Sequence, residues 1–225
     1  MLAGITGADA VIHLAGEPVF RRRWNPEVKR SLVASRVDLT KQIVHAIEQL
    51  STKPRVFISG SAVGYYGMRG DEIIDESDEP GDDFFGDLCQ QWEAAAAPAA
   101  TLGVRLVCMR IGIVLAPSGG ALEEMAAPVK LGIAGPLGSG RQYMSWIHIE
   151  DMIGVLCQAL NDDTLQGPVN ATAPNPVSNR EMMKALGRAL KRPVFMPVPA
   201  FALRLLKGEM AAYLTTAFVI LGVAA

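Results

Sequence analysis

Three apolar runs set the terms for this chain. Ala10–Leu14 (AVIHL), Arg55–Ser59 (RVFIS) and Val104–Ile111 (VRLVCMRI) each read as a buried strand, because near-continuous apolar runs mark strands covered on both faces. Helical stretches separate them. Asn25 can cap the first and Pro26 suits its first position, after which Val33, Val37, Val44 and Ile47 recur at helical spacing up to Leu50. Ser51–Pro54 ends it. Asp82 or Asp83 can cap the second helix, through Phe84, Leu88, Trp92 and an alanine run that Pro98 bends or stops. Strand, helix, strand, helix, strand argues for an α/β fold with a parallel sheet and helices on both faces.

The middle strand runs on into Val56–Gly67 (VFISGSAVGYYG) and delivers two serines, Ser59 and Ser61, to the carboxyl edge of that sheet. α/β proteins hold ligands at that edge. An ordinary strand followed by a small-residue loop reads equally well from this stretch alone. Gly67–Asp83 is polar, acidic and glycine-containing, and reads as a loop.

Beyond Leu115 the texture changes. Gly119 and Gly120 precede a helix over residues 121–130, and Gly132–Gly140 (GIAGPLGSG) follows. Exposed backbone N–H groups there could cradle an anion, but the run lacks the Lys-Ser/Thr ending of a phosphate loop and lies outside a strand-to-helix junction, so it reads as an ordinary connection. Tyr143–Asp151 returns to apolar alternation and leads into a helix to Leu160. Pro168–Thr172 reads as a strand, and Ser178 with Glu181 forms a capping-box pattern for a helix to Leu190. Pro193–Pro199 is extended, and the chain is helical from Ala200. Its end, Met210–Ala225, is uncharged but shorter than the roughly 20 residues a membrane span needs. A packed helix, a tail exposed by truncation and an interfacial anchor all fit it.

At 225 residues, half of them hydrophobic, the chain is long enough for a sizeable core. A net charge of −2 gives no electrostatic support for a nucleic-acid partner. Cys89, Cys108 and Cys157 are far apart and odd in number, which suits a reducing, cytoplasmic setting and neither a disulfide framework nor a metal site. His13, His45 and His148 are scattered and form no metal cluster, and the first residues lack the pattern of a signal peptide.

Taken in order, HLAGEPV, SRVDLT, ISGSAVGYYG, RIGIVL, SWIHIEDM and GPVNATAPNPVSN resemble the sugar-nucleotide-epimerase-like branch of the short-chain dehydrogenase/reductases. Within it they are similar to an atypical subfamily of epimerase family proteins, over about residues 8–210. The resemblance implies a Rossmann-type domain for NAD or NADP and a smaller region closing over a small-molecule substrate, either sugar-nucleotide-like or another carbonyl compound. It places residues 1–115 with 144–165 in the dinucleotide-binding part, and 116–143 with 166–225 on the substrate side.

Carried over by position, Leu14, Ala15 and Gly16 match the turn along the cofactor, with Arg36 near it. Ser59 and Gly60 border the nicotinamide, and Gly112 and Ile113 match the loop after the next strand. Ser61 matches the hydroxyl that bonds the substrate oxygen. Tyr65, Trp146, His148 and Asn170 follow strands and are pocket candidates, each with an equal claim to a structural role.

Two departures accompany the matches. Where relatives carry a Tyr-x-x-x-Lys pair, this chain has Phe85 and Cys89. Phe transfers no proton and a neutral thiol supplies no positive field. Tyr66 or Tyr65 could stand in, although an unperturbed phenol at about pKa 10 is a weak base, and packing or substrate stacking suits both tyrosines better. The Gly-rich strand–turn–helix that holds the pyrophosphate does not precede AVIHL: GITGA at Gly4–Ala8 is only superficially similar to it. The expectation is that this chain has little dinucleotide affinity on its own, and that AVIHL forms a free sheet edge open to self-association. An impaired reductase or epimerase and a non-catalytic, nucleotide-responsive regulator, or an inactive fragment, are the competing readings.

Overall fold

The computed structural model describes residues 2–20, 22–70, 72–215 and 219–220. The chain opens with a one-turn helix, α1 (Leu2–Ile5), and strand β1 (Ala10–His13). Helix α2 (Pro26–Val33) starts as its sequence dictates: Asn25 Oδ1 accepts the Val28 N–H at 2.8 Å and Pro26 fills a position that needs no donor. The single helix expected over 26–50 is interrupted. Ala34–Asp38 forms a π-turn, with the Leu39 N–H reaching back to Ala34 O, before α3 (Leu39–Glu48).

Strand β2 (Val56–Ala62) and a 3-10 turn at Val63–Tyr66 follow, then the short strand β3 (Ile73–Ile74) inside a stretch that reads as loop. Asp83 caps α4 (Phe84–Ala96), its Oδ1 accepting from Phe85 N and Gly86 N. Pro98 restarts the chain as α5 (Pro98–Thr101). Strands β4 (Arg105–Ile111) and β5 (Ile113–Leu115) precede α6 (Gly120–Lys130). Next come β6 (Tyr143–Met144), β7 (Trp146–His148) and α7 (Ile149–Asn161), then β8 (Gly167–Ala171), β9 (Val177–Ser178) and α8 (Asn179–Leu190), whose capping box between Ser178 and Glu181 is complete. Helices α9 (Ala200–Lys207) and α10 (Met210–Thr215) and strand β10 (Val219–Ile220) close the described chain. The rest of the apolar C-terminal run lies outside the described residues. Among those described, no helix is long and apolar enough to cross a membrane, and no group of three or more His, Cys, Asp or Glu could hold a metal ion.

The main sheet is parallel, in the order β1-β2-β4-β8. Gly167–Ala171, placed on the substrate side by the sequence reading, is instead the fourth strand of this sheet, because its register with Val107–Ile111 continues the ladder. One face packs on α7: Val56, Ile58, Val107, Met109 and Val169 meet Met152, Val155 and Ala159. The opposite face packs Val11, Phe57 and Cys108 against Ile43, Val44 and Ile47 of α3 and Ala96 of α4. Both faces are covered, which is why the strands read as apolar throughout. β1 lies at the edge. Among the described residues it pairs only with β2, and Ile12 is 44% exposed.

Candidate functional site

Register builds the polar end of the sheet. Ser61, Arg110 and Asn170 are adjacent on β2, β4 and β8, and residues in register on parallel strands share a face. Helix α4 presents Glu93 to that row. The Glu93 carboxylate accepts Arg110 Nε at 2.9 Å and Nη2 at 3.0 Å, and the Ser61 hydroxyl at 2.6 Å. Arg110 Nη1 also donates to Tyr66 Oη at 2.9 Å and to Glu76 O at 3.2 Å, while the Tyr66 hydroxyl donates to Asn170 Oδ1 at 2.7 Å. Glu76 in turn accepts the Asn170 N–H. The Arg110 guanidinium lies 3.4 Å from the centre of the Tyr65 ring, a cation–π contact.

This network is almost dry: Arg110 and Ser61 are each 3% exposed and Tyr66 is fully buried. Burial by itself would lower the Arg110 pKa, but the two-pronged Glu93 carboxylate overrides it and holds the guanidinium above its ordinary value. Burial raises the Tyr66 phenol despite its arginine neighbour. Ser61 and Tyr66, the two hydroxyls put forward for chemistry, are therefore internal members of a closed brace. The sequence reading passed over Glu93 and Arg110. The signal was available, since an arginine inside an apolar strand must find a buried acid.

A cavity of about 650 Å³ opens beside this brace, at the carboxyl ends of β2 and β4. Ala62–Gly64 and Ile111–Val114 form one wall, and α6, Tyr143, Met144 and α10 form the other. Gly112 and Ile113, which the resemblance matches to the cofactor loop, line it. So does Phe85, which the resemblance matches to the tyrosine of the wider short-chain dehydrogenase/reductases. Phe85 packs edge-on against Tyr213, with ring centres 4.7 Å apart. Cys89 sits one turn further along α4, 1% exposed, and burial pushes its thiol up to about 12. It supplies neither thiolate nor positive charge.

The substrate candidates Tyr65, Trp146, His148 and Asn170 all lie off this cavity. Trp146 Nε1 donates to Asn175 O, and the exposed His148 caps α7 by accepting the Glu150 N–H at Nδ1. Asp83, Gln142, Tyr143 and Tyr213, which the sequence reading did not select, do line it.

The remaining candidates gather at the β1–β2 end. Leu14, Ala15 and Gly16 form an exposed turn. A Cβ on Gly16 would come within 2.9 Å of the Arg36 guanidinium, so the turn and Arg36 touch. Arg36 donates to Glu17 O and Leu32 O and lies over Trp92, 5.3 Å from the ring centre. Burial lowers its pKa. Ser59 is fully buried, with its hydroxyl on Gly60 O at 3.2 Å, and a Cβ on Gly60 would strike Trp92 at 2.9 Å.

Two buried nitrogens in this corner, His13 Nε2 and Trp92 Nε1, have no partner. Burial lowers the His13 pKa below 6.5. As pH falls from that value the unfolded chain takes a proton that native His13 refuses, so stability drops on acidification. Thermal melts from pH 7 to pH 5 are expected to fall more steeply for the wild type than for His13→Gln. Equal slopes would contradict the assignment.

A parallel sheet with helices on both faces and a cavity at its carboxyl edge defines a Rossmann-type ligand-binding protein. The comparisons then narrow the class. Residues 2–171 match the model of the NAD dependent epimerase/dehydratase family, and the chain belongs to that family. It is 41% identical over 207 residues to an epimerase family protein of Arabidopsis thaliana, the SDR39U1 homolog described as chloroplastic, covering 91% of this chain and 59% of that one. An epimerase family protein of Mycobacterium leprae is 42% identical, with 92% of this chain and 67% of that one covered. The chain thus spans about three fifths to two thirds of these relatives. The crystal structure of human SDR39U1 with NADPH superimposes with a TM-score of 0.90 at 33% identity, covering 98% of this chain and 78% of that one.

Exposed Leu14–Gly16 and the buried, unpartnered His13 Nε2 and Trp92 Nε1 lie at the β1–β2 end, outside the lining of the cavity that Gly112 joins.

Proposed function

We propose that this chain serves NAD(P)-dependent reductase- or epimerase-type chemistry on a carbonyl or sugar-nucleotide-like substrate, and that it works slowly. The observation that carries this reading is the cavity opening between Gly64–Phe85 and Gly112–Ile113 at the carboxyl edge of the sheet. Leu14–Gly16, Ser59, Gly60, Gly112 and Ile113 would hold the nicotinamide end. The dinucleotide, when bound, supplies or accepts the hydride. The chain's own contribution is a largely apolar chamber that would orient the carbonyl. The positions matched to the usual proton donor supply none, because Phe85 has no hydroxyl, Cys89 is locked neutral and the Ser61 hydroxyl is committed to Glu93, which leaves the phenols of Tyr143 and Tyr213 on the cavity wall. The related human structure was solved with NADPH, which favours a nicotinamide cofactor here as well.

The test is NADPH oxidation followed at 340 nm with a panel of carbonyl compounds, using the wild type and Phe85→Tyr. A positioned general acid contributes about 10²–10⁴ in rate. Phe85→Tyr without a lysine partner is expected to raise a slow wild-type rate by roughly 10–100-fold. The reductase form of the reading fails if neither protein oxidises NADPH with any carbonyl, and the epimerase form, which leaves no net oxidation, fails if no nucleotide sugar is interconverted in the presence of cofactor.

The same replacements at Phe85 and Cys89 favour a second reading, a nucleotide-responsive binding protein without turnover. It predicts saturable NADPH binding by fluorescence with no oxidation in either variant.

A further inference from the structure

The end of α8 closes on a second depression, of about 480 Å³, that shares no residue with the cavity at the sheet edge. We propose that it binds a phosphate-bearing ligand, a pyrophosphate or a phosphomonoester, through Lys184, Arg188, Lys191 and Arg192, which surround it.

The sequence concentrates charge here. Residues 182–208 carry six lysines and arginines and no Asp or Glu, in a chain whose net charge is −2. Folding gathers four of those six cations around one hollow. Gly187 makes the shape possible. A Cβ there would stand 2.5 Å from Val194 Cγ2 and 2.9 Å from Arg192 O, so a larger residue would push the segment after α8 off the helix. The Arg192 N–H bonds Gly187 O at 2.9 Å and pins that segment in place. Arginine grips phosphate oxygens two at a time, and lysine adds a mobile point charge beside it. Two of each around a single depression suit a group with several anionic oxygens.

A helix end accounts for one such cation, not for four. The C-terminal dipole is worth only about half an elementary charge. All four side chains are exposed, and among the described residues none makes an ion pair or a side-chain hydrogen bond. Glu181, the acid one turn before Lys184, is engaged by its own cap, accepting the Ser178 N–H and hydroxyl. Lys184 and Arg188 lie one turn apart on α8, where like charges repel. Lys191 carries a further cost. With φ at 53° it is the one non-glycine in the left-handed region among the described residues, at a helix end where glycine is usual. Charge and backbone therefore both run against stability at one place, and strain of that kind clusters at ligand clamps.

The experiment titrates inorganic pyrophosphate into the chain by calorimetry in about 0.1 M salt, where attraction beyond about 10 Å is largely screened. A parallel arm floats the chain on vesicles containing phosphatidic acid, with phosphatidylcholine vesicles as the control. Saturable one-to-one binding is expected in at least one arm. Binding of pyrophosphate alone assigns the site to a soluble phosphate, and binding of vesicles alone assigns it to a lipid headgroup. The double variant Arg188→Gln with Arg192→Gln should weaken binding roughly tenfold or more, the worth of the charged hydrogen bonds removed. Lys191→Gly should weaken binding and raise the melting temperature together, since it deletes a cation and relieves the left-handed backbone. A solvated surface without a ligand gives neither a calorimetric signal nor flotation, and that result would overturn the proposal. So would binding that persists undiminished in both variants, which would place the phosphate elsewhere on the chain.

Discussion

Glu93→Ala is expected to cost about 3–5 kcal/mol of stability, the usual effect of stripping one partner from a buried ion pair. Arg110 is 3% exposed and gives two of its donors to this carboxylate. Alanine leaves the guanidinium charged, since arginine does not deprotonate in proteins, and leaves the Ser61 hydroxyl without its acceptor. Urea unfolding measures the loss. The double variant Glu93→Leu with Arg110→Met removes both charges and should recover most of it, because an apolar pair of similar volume avoids the desolvation penalty. A cost below about 1.5 kcal/mol for Glu93→Ala would mean that Tyr66 Oη and Glu76 O satisfy the arginine alone.

Gly86→Ala should be the second severe change. A Cβ there would stand 2.2 Å from Gly81 O and 2.7 Å from its carbonyl carbon, and neither is a side chain that can swing away. Gly81 in turn has Gly67 Cα 2.5 Å from its own Cβ direction. Three glycines thus let the loop before α4 lie directly on the turn after β2, held by Gly81 N–H to Tyr65 O at 2.8 Å. Overpacking typically costs about 1–3 kcal/mol, and rigid backbone on the far side puts this case at the upper end. Asp83 and Phe85 flank the contact and line the cavity, so the same strain reaches the cavity wall. Gly154→Ala is the control. It lies on the exposed face of α7 with nothing within 4 Å of the added carbon, and should stabilise by about 0.5–1 kcal/mol. Equal melting temperatures for the two variants would refute the steric account.

Local signals carried much of the fold. Asn25-Pro26, Asp83 and Ser178/Glu181 each mark a helix start that the structure contains, and the apolar runs at Ala10, Val56 and Arg105 each became a parallel strand. The π-turn at Ala34–Asp38 shows as a five-residue step from buried Leu32 to buried Val37, which the spacing of Val33, Val37 and Val44 hid because Val33, one position on, keeps a four-residue step. The pairing of β3 with β10 joins segments almost 150 positions apart that no local pattern connects. The site divides in the same way. Gly112 and Ile113 follow a recognisable strand and could be placed. Gln142, Tyr143, Met125 and Tyr213 come from separate segments that meet only through tertiary packing. Ser61 and Tyr66 were visible as hydroxyls near a strand end, but which way they would turn depended on Glu93 and Arg110 across the sheet.

The two walls of the chamber are unlike in stiffness. Charged hydrogen bonds bolt α4 to two strands, β2 and β4, through Glu93, and short charge-assisted bonds resist distortion. The facing wall of α6 and α10 is closed mainly by thioether and aliphatic contacts, which slide at little cost. Entry and exit of any guest must therefore come from that softer side yielding while the braced side stays still. A spectroscopic label on α6 would register the traffic, and one on α4 would not.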